Sequence, residues 1–188
     1  MKRVVILLRP LLIVLAVVVA LAHFSAPKVA ANQSFHNNHI LLPPGPIFLP
    51  AYDPVNNPFG VCAGFDVLVT PVPNLNDQIL TQTTLPDGTI VQNFRGPILA
   101  DATNQVTGKT VRINASGPGT LTIAPDGSSV FEAHGLTGIF LGHPDQVRLG
   151  LPGFFIVSGP INEVFASDGT LTSITFQGPL TDVCAALA

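Results

Sequence analysis

Short runs of β-prone residues, separated by Gly and Pro, follow one another along the chain after residue 60. In the run 109–115, Val111 and Ile113 fall on one face of a strand, and Arg112 and Asn114 fall on the other. Regularly spaced short runs of this kind are typical of an antiparallel β-sandwich or barrel, here of roughly 8–10 strands. The predicted strands are 65–72, 78–84, 89–95, 98–103, 109–115, 120–124, 129–134, 154–158, 161–166 and 171–177.

Three of the connections between these runs share an Asp-Gly pair, at Asp87-Gly88, Asp126-Gly127 and Asp168-Gly169. As three-residue hairpin loops, they place Gly where the backbone must be left-handed. The resulting register sets an apolar side chain opposite another in every hairpin, which supports the assignment. The pairs are Leu80 with Phe94, Leu121 with Phe131, and Phe165 with Leu171. Helical signal is nearly absent, and only residues 182–188 could form a short turn after the last strand.

The N-terminus has the pattern of a secretory signal peptide. Lys2 and Arg3 precede an apolar run over 11–22, and small residues follow it, up to Ala31. This order of positive, apolar and small-residue regions is what signal peptidase recognises. The sequence therefore predicts a signal peptide over 1–31 and a secreted, extracellular protein.

Two alternatives to this cleavage remain open. A membrane anchor needs roughly 20 apolar residues, and Arg9 and Pro10 interrupt the run that would supply them. Uncut, the segment would display the domain from the membrane. A cut after Ala22 would instead make His23 the first residue, where it could hold copper with His134 or His143. In that single feature the chain would resemble the copper oxygenases that attack polysaccharides.

The remainder of the chain divides into two regions. Residues 32–60 hold six prolines, at a density that removes the amide donors of a sheet, so this segment is an extended linker or an arm packed over the domain. Residues 61–188 form the all-β domain. Its only cysteines, Cys62 and Cys184, lie near its two ends, and in an oxidising compartment they are expected to form a disulfide.

Charge excludes some classes of partner. Removing residues 1–31 removes four of the eight basic residues and none of the 11 acidic ones, which leaves a formal net charge of −7. Such a domain cannot neutralise phosphates, so nucleic acid and anionic lipid head groups are not expected partners. With the signal removed, no integral membrane segment remains.

Candidate chemistry is sparse. Alternation in 109–115 and 129–134 could place Arg112, Glu132 and His134 on one polar face, as an acid–base pair in a cleft. The same alternation is also what a solvated outer face shows. A second candidate is the loop predicted over 143–148, because loops on rigid β scaffolds often carry function.

The residues of that loop with reactive or charged side chains are His143, Asp145 and Arg148. An exposed turn would explain them equally well. His36 and His39 have a spacing that could chelate a metal, but no carboxylate or Cys lies near them in the sequence. Neither a metal nor another cofactor is therefore expected.

No catalytic motif is present, so the sequence favours a non-enzymatic exported β-domain with a binding or structural role. Its partner could be a cell-envelope component, a small apolar ligand or another protein. The alternative is a small secreted enzyme that uses the polar face or the 143–148 loop.

Overall fold

The structure, a computed structural model, describes residues 40–41, 45–76 and 78–188. The predicted signal peptide, the arm up to residue 39, and the three histidines His23, His36 and His39 lie outside these residues. Predictions made for them stay predictions.

The described residues form fourteen strands and two short helices. The strands are β1 (Ile40–Leu41), β2 (Ile47–Leu49), β3 (Val67–Pro71), β4 (Ile79–Thr84), β5 (Ile90–Arg95), β6 (Leu99–Asn104), β7 (Thr110–Asn114), β8 (Gly119–Ile123), β9 (Ser129–Ala133), β10 (Leu136–Phe140), β11 (Phe154–Ser158), β12 (Ile161–Phe165), β13 (Leu171–Phe176) and β14 (Leu180–Asp182). The helices are α1 (His143–Leu149) and α2 (Val183–Leu187).

All strand pairs are antiparallel and build three sheets. A seven-stranded sheet has the order β1-β4-β5-β8-β9-β12-β13, a four-stranded sheet the order β2-β3-β6-β7, and a three-stranded sheet the order β10-β11-β14. The all-β prediction is confirmed. The strand number exceeds the predicted eight to ten because β1, β2 and β14 are only two or three residues long, and because β10 was missed.

The three-stranded sheet lies between the other two. Along β11 the buried side chains alternate: Phe154 and Ile156 pack with the four-stranded sheet, whereas Phe155 and Val157 pack with β9, β12 and β13 of the seven-stranded sheet. A strand buried on both faces loses the polar alternation of a surface strand, which explains its apolar sequence FFIV. The fold is a layered sandwich with β11 at its centre.

The hairpin register follows the sequence prediction. Leu80 lies opposite Phe94, Leu121 opposite Phe131, and Phe165 opposite Leu171. In each turn the Asp side chain accepts a hydrogen bond from the backbone amide two residues later, at 2.9 Å. The glycines that follow have φ values of 82° to 89°.

Residues 45–60, the last part of the Pro-rich segment, lie against the domain. β2 pairs with β3, and Leu49 is buried in the core. The amide of Ala51 donates a hydrogen bond to Asp66 Oδ1 at 2.6 Å. Edge strands accept prolines because one of their sides needs no ladder partner.

A disulfide joins Cys62 to Cys184 across 122 positions of sequence. Cys184 lies on α2, whose first turn is capped by Asp182, which accepts a hydrogen bond from the amide of Ala185. Val183 and Leu187 of this helix are buried in the same core cluster as Cys62. The C-terminal segment is therefore fixed to the domain both covalently and by apolar packing.

Candidate functional site

A cavity of about 110 Å³ lies where the middle sheet ends. β10 is the edge strand of that sheet, and the two outer sheets are wider. Beyond β10 the outer sheets therefore face each other with none of the described strands between them. Side chains from all three sheets line the resulting space.

The walls are mostly apolar, and small residues leave the space open. Ala100 of β6, Gly138 of β10, and Ala115 and Gly117 between β7 and β8 carry one carbon or none beyond the backbone. Three aromatic rings complete the walls, from Phe94, Phe131 and Phe140.

Gly119 is required beneath one of these rings. A Cβ atom at Gly119 would come within 2.8 Å of the ring of Phe131, which is too close for a carbon contact. The rings of Phe131 and Phe94 meet edge to face, with centroids 6.5 Å apart and planes at 71°. The absence of a side chain at Gly119 thus sets the position of one aromatic wall.

Glu163 brings a carboxyl group into this apolar space. It lies on β12 opposite Phe131 of β9, on the inner face of the seven-stranded sheet, and is only 4 % exposed. The hydrogen bonds between described residues include none to its side chain, and neither ion pair found among them involves it. Burial raises the pKa of Glu163 to about 7, because the charged form loses hydration that nothing nearby replaces.

Thr137 supplies a second polar group to the cavity. Thr137 lies opposite Val157, so its side chain is on the face of β10 that is turned toward the seven-stranded sheet. Glu163 projects from that sheet toward the same face of β10. Thr137 is 7 % exposed, and its hydroxyl oxygen is buried without a hydrogen-bond partner among the described residues. Gln78, also buried, lines the same cavity with an amide.

Two buried polar residues elsewhere in the domain do have hydrogen-bond partners. The amide of Gln92 donates to Gln82 Oε1 at 2.7 Å, and the amide of Asn104 donates to the carbonyl of Leu187 at 3.1 Å. Buried polar groups are normally satisfied in this way. Among the described residues, the hydroxyl of Thr137 and the carboxyl of Glu163 have no such partner, and both residues line the cavity.

The polar face predicted from the sequence is not assembled. Arg112 lies on β7 of the four-stranded sheet, where it forms an exposed ion pair with Asp101. Glu132 lies on β9 of the seven-stranded sheet and His134 directly follows that strand, both exposed. Placing Arg112 on one face with them was wrong, because the chain changes sheets between β7 and β8. Glu132 points away from the cavity, since its neighbour Phe131 points into it.

The 143–148 segment is a helix rather than the predicted loop. Gly142 precedes α1, Pro144 lies in its first turn, and Gly150 ends it in the left-handed conformation. These are the ordinary signals of a helix start and stop. They were overlooked because the segment between them is short and carries no apolar periodicity.

The candidate residues of α1 hold the helix in place. His143 stacks on Tyr52, with ring centroids 3.5 Å apart. Arg148 donates to Asp145 and also to the carbonyl of Leu171, each at 2.6 Å. None of these three helix residues lines the cavity.

Sequence reasoning missed the residues of the cavity. Glu163 alternates with Ile161 and Phe165, so the period of two already placed it on the apolar face of its strand. That signal was present and could have been used. Thr137 carried no such signal, because it lies in a Gly-interrupted run that did not resemble a strand.

No protein family model, curated protein or solved structure matches this chain. Within the ranges 45–76 and 78–188, no helix is both long and apolar enough to cross a membrane. The same residues contain no cluster of three His, Cys, Asp or Glu side chains arranged to hold a metal ion.

Proposed function

We propose that this protein is an exported binding module that holds a small, largely apolar ligand with one polar group in the cavity beside β10. The observation that carries the proposal is that two buried residues, Thr137 and Glu163, bring into a mostly apolar space polar groups with no hydrogen-bond partner among the described residues. A cavity of this composition matches the general form of a small-molecule site, with apolar walls and a few convergent polar groups.

The energetics favour an occupant. Leaving a buried polar group without a partner costs about 1–3 kcal/mol, so a ligand that bonds to Thr137 and Glu163 would recover part of that cost. Apolar atoms of the ligand would gain about 25 cal/mol for each Å² removed from water. Both contributions require a ligand that is apolar at one end and polar at the other.

The volume limits the size of the occupant. A cavity of about 150 Å³ holds one benzene molecule, so the 110 Å³ here suit a ligand, or the end of a longer one, of about four to six non-hydrogen atoms. For so few atoms, affinities on the order of 0.1–1 mM are realistic.

Export is part of the proposal. Its support is the predicted signal peptide together with the Cys62–Cys184 disulfide, a bond that persists mainly in oxidising compartments. A small apolar ligand was one of three partners compatible with the sequence. The cavity favours it over a cell-envelope component or a protein partner.

Catalysis is the less favoured function. Glu163 has the raised pKa that active-site acids often show. However, the other described side chains that line the cavity are apolar or uncharged and cannot titrate, so none of them supplies a second acid, base or activated nucleophile. One carboxyl group and one hydroxyl group are sufficient to orient a ligand.

Ligand-observed NMR on the purified, disulfide-bonded protein tests the proposal, with isobutanol and benzene as probes. We expect saturable binding of at least one probe. Ala100→Leu should weaken that binding at least about tenfold, because the added carbons occupy the cavity. Val106→Leu is the matched control, since it enlarges a side chain that is 74 % exposed and is not among the residues that line the cavity.

Binding that Ala100→Leu leaves unchanged, in a variant that still unfolds cooperatively, would place the ligand elsewhere. Failure of both probes to bind the parent protein would contradict the proposal. Ala100→Val, which adds less volume, provides an intermediate effect if the Leu variant does not fold.

A further inference from the structure

We propose that the ligand of the cavity is a small aliphatic amine, bound as its ammonium ion against the carboxylate of Glu163. This inference rests on the proposed binding function and narrows it to one chemical class. It follows from the charge of the cavity, from its aromatic walls and from the number of acceptor atoms it offers.

The charge of the cavity selects against anions. Among the described residues that line it, Glu163 is the one with a charged side chain, and none of the others is a Lys, Arg or His. A ligand carboxylate would have to share a buried space with Glu163 without a counter-ion, which raises the free energy of both groups. An ammonium ion instead supplies the counter-ion that the described residues do not provide.

The aromatic residues favour the same class. Phe94, Phe131 and Phe140 all line the cavity, and an ammonium ion is attracted to the face of an aromatic ring within about 6 Å. Phe94 and Phe131 meet edge to face, so their two planes are steeply inclined to each other. The aliphatic carbons of the ligand would contact the small apolar residues of the remaining walls.

The number of hydrogen-bond acceptors at the cavity also matches the number of donors of a primary ammonium ion. A primary ammonium ion has three N–H donors and no acceptor. Glu163, Thr137 and Gln78 all line the cavity, and each has a side-chain oxygen that can accept a hydrogen bond. A ligand hydroxyl group has only one donor, so it could not bond to all three oxygens as a donor.

Binding of this kind is linked to pH. Burial holds the pKa of Glu163 near 7, and the ammonium ion pairs only with the ionised form. Below that pH the amine must displace a proton, so the apparent Kd should rise about tenfold for each unit of pH. Above it the Kd should level off until the amine itself loses its proton.

Among the residues that the structure describes, no other titratable group faces Glu163 from the strands that surround it. On the neighbouring β9, Glu132 is exposed on the opposite face of the sheet, and β13 carries no charged residue. Arg95 of β5 is exposed, and Asp101 and Arg112 pair with each other on the outer face of the four-stranded sheet. β10 carries no charge. Glu163 is therefore the group expected to determine the pH dependence.

The experiment compares isobutylamine with isobutanol, which have the same shape but differ in charge and donor number. Binding is measured by NMR at about pH 8 and about pH 5.5, where Glu163 is mainly ionised and mainly protonated, respectively. At the higher pH we expect the amine to bind at least about tenfold more tightly than the alcohol. At the lower pH the Kd of the amine should rise about thirtyfold, and that of the alcohol should change little.

Glu163→Gln and Glu132→Gln form the matched pair of variants, because they make the same change on opposite faces of the seven-stranded sheet. Glu163→Gln should lose the preference for the amine and its pH dependence. Glu132→Gln should behave as the parent protein.

Equal affinity for amine and alcohol, or tighter binding of isobutyrate, would overturn the amine assignment and leave the binding function standing. An amine preference that survives Glu163→Gln would also overturn it. Absence of binding by every probe would overturn both proposals.

Discussion

Glu163 places a carboxyl group on the face of β12 that otherwise carries apolar side chains. Ile161 and Phe165, its neighbours on the same face, are both buried. A buried, unpaired carboxyl group lowers the stability of the domain whenever it is ionised. Proteins commonly tolerate a loss of stability of this kind at sites that bind ligands.

This cost should appear in the pH dependence of unfolding. The pKa of Glu163 is about 7 in the folded chain against 4.5 for the ordinary group, so the folded state binds the proton more tightly. The stabilisation is fully present below about pH 4.5 and is lost as the pH rises to about 7. Across that interval we expect the contribution of Glu163 to the free energy of unfolding to fall by roughly 3 kcal/mol. Urea unfolding at a series of pH values measures it.

Glu163→Gln should remove that contribution and make the protein more stable than the parent at about pH 8, by roughly 2–3 kcal/mol. The control is Glu132→Gln, whose carboxylate is exposed on the outer face of the sheet. A parent profile that Glu163→Gln leaves unchanged would show that Glu163 is hydrated or paired in solution.

Among the secondary-structure elements, the three Asp-Gly hairpins have turns of the same construction. In each, an Asp carboxylate accepts the amide hydrogen of the residue after the Gly, and the Gly has a positive φ. The pattern is local, because the turn chemistry and the alternation beside it lie within about twenty residues of sequence. Local patterns of this kind can be read from the sequence, and the predicted registers were correct.

At the third turn, replacing Gly169 shows how much the positive φ alone contributes to stability, without steric crowding of the new side chain. Nothing lies within 4 Å of a Cβ atom built at Gly169, whose φ is 82°. Gly169→Ala should therefore cost about 1–2 kcal/mol through the left-handed conformation alone. Gly169→Asn should cost less, because Asn tolerates that conformation. Thermal unfolding of both variants measures the difference, and equal losses would contradict this explanation.

Two elements show where local patterns are insufficient. β10 contains Gly138 in a run that lacks alternation, and it forms a strand because it pairs with β11 over its whole length. α1 has no buried residue, but Gln146 anchors it by donating to the carbonyls of Val61 and Leu141, each at 2.8 Å. The run of β10 carries no strand signal of its own, and one of the carbonyls that anchor α1 lies 85 positions away in the sequence.

At the scale of the whole molecule, the disulfide connects the two ends of the domain. Closing a loop as long as the 122 positions between Cys62 and Cys184 stabilises a fold by roughly 4–5 kcal/mol in the loop-entropy description. We expect the double variant Cys62→Ala/Cys184→Ala to lose stability of that order. Urea unfolding of the parent with and without a reductant gives an independent measurement. If neither treatment moved the midpoint, the core cluster around α2 would be sufficient to fix the C-terminus.

The sequence by itself determined the all-β class, the hairpin registers and the presence of two cysteines near the ends of the domain. Each depends on residues close together in sequence or on composition. The tertiary structure alone decided that β10 forms the edge of a narrow middle sheet, that Arg112 lies on a different sheet from Glu132, and that Glu163 and Thr137 project into one cavity. These facts depend on how three sheets stack, because a cavity is bounded by residues far apart in the chain and its volume is set by the width of the layers around it.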